Sequence, residues 1–153
     1  MILTNPRVRW QRRELGLHLF REELDDVYNQ HLSEFGLNSS TFLALAMILS
    51  SEDNRLNPSH LSDALIASRT NVTRLADDLV GSGWVSRKPC TQDRRRVELS
   101  LTPSGRKLIL AVLPVIWQRI EQQWIDFSPA EIAEFDRLLR KMLEGLRRFR
   151  MAS

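Results

Sequence analysis

Between positions 69 and 74 the chain reads RTNVTR, and every residue there except Val72 carries a side chain that can bond the edge of a base pair. Arginine bonds guanine with two donors, asparagine does the same with adenine, and threonine offers a hydroxyl plus a methyl for thymine. A helix face that only meets water usually carries Glu and Lys instead. The apolar residues Val72, Leu75, Ala76 and Leu79 recur at i, i+3, i+4 and i+7, and Val80 extends the stripe, so the segment predicts an amphipathic helix. Setting Val72 inward puts Thr70 and Arg74 opposite it, with Asn71 and Thr73 at their sides and Arg69 in the first turn. Ser68 supplies an N-cap, and the free backbone donors of that helix start can grip a phosphate. The plainer alternative is the polar face of an ordinary helical bundle.

A second group lies at DRRR, residues 93–96, between two short, partly alternating apolar patterns, WVSRKP (84–89) and RRVELSL (95–101). This predicts a β-hairpin with a charged tip. An arginine on such a tip, Arg94, Arg95 or Arg96, can enter a narrow, electronegative minor groove. Asp93 would repel phosphate, so its role is to orient a neighbouring arginine through a bidentate pair. Lys88 and Arg106 are placed to meet phosphate. A solvated salt-bridge cluster is the plain alternative, and such a cluster stabilises little.

These two groups need a frame, and the helix-start signals supply one. Asn57-Pro58, Thr102-Pro103 and Ser128-Pro129 each put a capping side chain before a proline at the first helical position, and Ser128 with Glu131 makes a capping box. Helices are expected over about 7–33, 39–51, 58–66, 69–81, 103–125 and 129–149, with Pro114 kinking the fifth without ending it. The glycine in EFGLNSS suits a helix C-terminus. The fold class is mainly α with a small β-hairpin wing. Residues 38–109 form a winged helix-turn-helix lobe, and the helices 7–33 and 110–149 a dimerisation lobe, all within one domain of 153 residues.

Charge is divided unevenly. Residues 22–63 sum to −7 and residues 66–107 to +5, within a total of +3. A basic surface aimed at a polyanion accounts for this, as does a basic face that only meets water. The longest uncharged apolar runs are too short to span a bilayer, and the N-terminus lacks a secretory h-region. The single cysteine, Cys90, excludes an internal disulfide and fits a reducing cytoplasm. The three histidines, His18, His31 and His60, lie on separate segments. No Ser/His/Asp order, phosphate-binding glycine loop, CxxC pair or metal-ligand spacing is present. An enzyme, a cofactor or a metal centre is therefore not expected.

The run DRRRVELSLTPSGRKL (93–108) resembles the wing and following helix of the MarR (multiple-antibiotic-resistance regulator) family, with Asp93, Arg95, Leu99, Leu101, Thr102 and Gly105 in the family's order. SRTNVTRLADDLVGSGWVSRK resembles its recognition helix and first wing strand, most like the branch that represses multidrug efflux pumps. The resemblance implies a homodimer on a double-stranded, pseudo-palindromic operator in the cytoplasm, released by a small aromatic or lipophilic ligand. Phe42, Trp84 and Trp117 would line the ligand crevice, and Arg87 would meet a carboxylate. Independently, Trp117, Ile120, Trp124, Ile132, Phe135, Leu138, Leu139, Met142, Leu143 and Leu146 offer more apolar surface than a peripheral helix hides. They either pair two chains or complete a monomeric core. Two other readings stay open: a winged-helix protein-interaction module, and a DNA-binding regulator triggered by oxidation of Cys90, whose thiol Lys88 and the wing arginines would acidify.

Overall fold

A computed structural model describes residues 6–65, 69–90 and 97–151, with side chains for 15–65, 70–90 and 97–149. The elements run α1 (Pro6–Ser33), α2 (Ser39–Ser50), β1 (Arg55–Leu56), α3 (Pro58–Ala64), α4 (Arg69–Gly81), β2 (Val85–Pro89), β3 (Val97–Leu101), α5 (Pro103–Gln123) and α6 (Pro129–Met151). Capping chemistry accounts for most of the boundaries. The Asn38 side chain accepts from the Thr41 N–H at 2.9 Å while the Thr41 hydroxyl accepts from the Asn38 N–H at 2.8 Å, which starts α2. Asn57 accepts from the Ser59 N–H at 2.9 Å ahead of Pro58 and starts α3. Thr102 accepts from the Gly105 N–H at 3.0 Å to start α5, which continues past Pro114. Ser128 and Glu131 cap each other's N–H groups at the start of α6, at 3.3 and 2.9 Å.

The chain divides into two compact units, Met1–Leu113 and Pro114–Ser153. In the first, the core combines Leu32 and Leu37 with Ala44, Leu45 and Ile48 of α2 and Leu61 of α3. Val72, Ala76 and Leu79 of α4, Val85 and Leu99 of the sheet, and Ile109 and Val112 of α5 complete it. Each buried Leu, Ile or Val contributes about 1.5–3 kcal/mol, so the apolar stripe of α4 is what fixes which face of that helix looks outward. The hairpin pairs antiparallel from Val85↔Leu101 to Pro89↔Val97. A third strand not foreseen in the sequence, β1, pairs Arg55 with Ser100 and Leu56 with Leu99, giving the order β1-β3-β2. The expected hairpin is thus the outer part of a three-stranded sheet. The chain enters β1 through a 3-10 turn at Glu52–Asn54 in which Asp53 and Asn54 hold φ of 55° and 52°. Asp and Asn tolerate that left-handed region better than most residues.

In the second unit, Trp124 stacks edge-on against Phe127 and Phe135, with ring centroids 5.2 and 5.3 Å away. Among the described residues, no helix is long and apolar enough to cross a membrane.

Candidate nucleic-acid interface

The stripe read from the sequence is the buried side of α4: Val72, Ala76 and Leu79 are buried, and Leu75 and Val80 half-buried. The opposite side presents Thr70, Asn71, Thr73 and Arg74, all exposed. Among the described residues Arg74 makes no ion pair or hydrogen bond, so its guanidinium is available to a ligand. Arg69 opens α4, but its side chain lies outside the described residues, as does Ser68 altogether. The wing tip, with Asp93, Arg94, Arg95 and Arg96, also lies outside them. Lys88 is exposed on β2, facing Glu98 across the pair of strands.

The platform beneath these residues is built from the turn between α4 and β2. Gly83 takes φ +73°, a conformation open to glycine, and the Trp84 N–H reaches back to the Leu79 carbonyl at 3.1 Å. The hydroxyls of Thr102 and Ser104 both donate to the Gly83 carbonyl, at 2.6 and 2.9 Å, and the Thr102 N–H donates to the Trp84 carbonyl at 3.0 Å. Gly105 is packed so closely on the Trp84 backbone that any Cβ there would collide with the Trp84 carbonyl group. The TPSG motif therefore clamps the start of α5 onto the end of α4. That close approach is the physical reason for its hydroxyls and its glycine.

Three other arginines of the first unit are already held. Arg106 donates to Asn54 Oδ1 at 2.9 Å and so braces the turn before β1. Arg55 lies 3.8 Å from Glu98, one of whose carboxylate oxygens is buried with no hydrogen-bond partner. Arg87 on β2 forms an ion pair with Asp77 on α4. The carboxylate that Arg87 meets in this structure is thus one of the chain's own. None of these pairings had a sequence signature, because the partners are separated by 10 to 52 positions.

Of the residues expected around a ligand, Phe42 and Trp84 are half-buried in the first unit, and Trp117, in the second, is 58% exposed. A cleft of about 380 Å³ lies elsewhere in the first unit, bounded by Asp25 of α1, Asn38–Thr41 and Leu43 of α2, Leu65, and Asn71, Val72, Arg74, Leu75 and Asp78 of α4. None of Phe42, Trp84, Arg87 or Trp117 lines it. Cys90 is half-buried just past the end of β2.

Residues 37–97 match the MarR family model. The transcriptional repressor MprA of Escherichia coli is 38% identical over 132 residues, spanning 86% of this chain and 74% of that protein. Among solved structures, AbsC, a MarR family transcriptional regulator from Streptomyces coelicolor, is similar with a TM-score of 0.81 at 25% identity, over 89% of this chain and 93% of that one. A mutant MarR from Escherichia coli complexed with operator DNA shares the fold with a TM-score of 0.80 at 24% identity, over 92% and 99% of the two chains.

Proposed function

Because the chain belongs to the MarR family, we propose that it is a homodimeric transcriptional repressor that lays α4 in the major groove of a pseudo-palindromic operator. The wing tip then enters the adjacent minor groove. The observation that carries this reading is the row Thr70, Asn71, Thr73 and Arg74, exposed on a helix whose other side is locked into the core. Asn71 and Arg74 read bases, Arg95 reads groove width, and Lys88 meets phosphate. The relative named as a transcriptional repressor supports the direction of regulation. The protein acts in the cytoplasm, on the nucleoid, and is not an enzyme.

Two copies are needed because one recognition helix covers only half of such an operator. The exposed apolar residues supply the contact. On α1 these are Leu15, Leu17, Leu19, Phe20 and Val27, and on α6 the series Ile132, Phe135, Leu138, Leu139, Met142, Leu143, Leu146 and Phe149. Apolar surface on that scale marks an interaction site.

Release by a small aromatic or lipophilic ligand completes the reading. Such a ligand acts only through different affinities for the DNA-bound and free states. An occupant of the cleft beside α4 would draw on Asn71 and Arg74, which the operator also needs.

The test is selection from a pool of random duplexes by the full-length protein. Recovered sites are expected to be pseudo-palindromes with half-sites about one helical turn (~34 Å) apart. Recovery without sequence enrichment would mean that α4 grips only backbone. Recovery of nothing would favour a protein-interaction module.

A further inference from the structure

We propose that Asp77 and Arg87 form a clip that sets the tilt of the wing against α4, making Arg87 a positioning residue of the operator complex. This deepens the DNA-binding reading and rests on it. At its base the wing is held by buried Val85 of β2 and by buried Leu99 and Ser100 of β3. Val85 is buried, but along β2 the side chains pass from half-buried Ser86 to exposed Arg87, Lys88 and Pro89. Past Val85 no buried apolar side chain holds the outer half of β2 to the helix. Among the described residues, the Arg87–Asp77 contact is the ion pair that joins that half to α4.

The exposure of the partners says what the contact is for. The Arg87 and Asp77 side chains are 40% and 56% exposed, and pairs of that kind add little to folding stability. Their consequence is geometric. β2 rises about 3.3 Å per residue, so a small rotation at Val85 is magnified at the tip, whose arginine must reach a groove at a fixed distance from α4. Asp77 also follows Arg74 by three positions on α4, close to the face that meets DNA. Left alone it would present a negative charge to a polyanion, and Arg87 neutralises it. A guanidinium spent in this way does not release a counterion from DNA.

The experiment has one arm without DNA and one with it. In the free full-length protein, Arg87→Ala should speed hydrogen exchange at residues 86–88 while leaving Leu45 and Ile48 unchanged. The paired exchange Asp77→Arg with Arg87→Asp should restore slow exchange. Against the selected operator, Arg87→Ala should cost about fivefold in affinity, the upper end of what an exposed pair supplies. It should also reduce the preference for A/T-rich flanks, leave the slope of log K against log salt unchanged, and be reversed by the paired exchange. A slope lowered by about one unit with flank preference intact would make Arg87 a phosphate contact and overturn the clip. Unchanged exchange at 86–88 in Arg87→Ala would overturn it without any reference to DNA. If the parent protein shows no duplex preference, the DNA-binding reading fails, and the exchange arm still decides whether the pair holds the wing.

Discussion

Helices α4 and α6 are unfinished on opposite sides. On α4 the apolar side is complete, with Val72, Ala76 and Leu79 at 3% exposure or less, and the polar side carries Arg74, which has no partner among the described residues. On α6 two ion pairs lie within the polar side: Glu134 pairs with Arg137 at 2.7 Å and Asp136 with Arg140 at 2.8 Å. Its apolar residues, from Ile132 to Phe149, stay between 37% and 75% exposed. A face left open in polar groups selects a hydrated, charged partner, whereas one left open in apolar groups selects another apolar surface. In the proposed complex the two helices complete themselves against different partners, and the second completion would place two copies of the first on one duplex.

The largest expected effect comes from closing the apolar face. Leu139→Glu together with Met142→Glu should convert the dimer to a monomer in sedimentation equilibrium and lower operator affinity by about 10²–10⁴-fold through lost bivalency. A parent protein that is already monomeric at micromolar concentration would break the comparison at its α6 half. Next comes damage to the platform, which spares both faces. Gly105→Ala should cost about 2–4 kcal/mol, because the new methyl meets the Trp84 backbone and no side chain can swing aside. Thermal unfolding reads that loss directly, and an unchanged melting temperature would mean that the contact is looser than it looks.

The open face of α4 is sharpened by a pair of substitutions. Arg74→Ala should cost about 1–3 kcal/mol on the operator and relax preference at particular base positions. Lys88→Ala should weaken operator and random duplexes alike and lower the salt slope by about one unit. Equal losses for the two on every duplex would assign α4 to the backbone and remove base reading. The smallest effect is at the start of α6. Hydrogen bonds from the Ser128 hydroxyl and N–H hold the Glu131 carboxyl below its ordinary range. Because its pKa is lower in the folded chain, this contribution is present above the unfolded value of about 4.3 and is lost as pH falls through the folded one. The difference in melting temperature between the parent and Ser128→Ala should therefore shrink on acidification below about pH 4. A difference that is flat with pH would exclude Glu131 from the cap.

Much of this was legible because it is local. A capping side chain bonds an N–H two or three residues on, so Asn57, Thr102 and Ser128 announce their helices from sequence, and the period of Val72, Leu75, Ala76 and Leu79 announces α4. Strand β1 was not legible. Two residues carry no period, and Arg55–Leu56 is a strand only because β3 offers it an edge. The roles of the arginines were half legible. Residue type marks Arg74 and Arg106 as base and phosphate contacts and Arg87 as the partner of a ligand carboxylate, but type does not say which guanidinium finds an acceptor elsewhere in the chain.

What the sequence alone determined is therefore the face of α4 and the surplus on α6, since helical period and side-chain chemistry are properties of short segments. What only the tertiary structure decided is which charges remain for a partner. Folding brings Asn54 to Arg106 and Asp77 to Arg87 across 52 and 10 positions while leaving Arg74 without an acceptor among the described residues, because hydrogen bonds between distant residues depend on where the core has already placed their backbones.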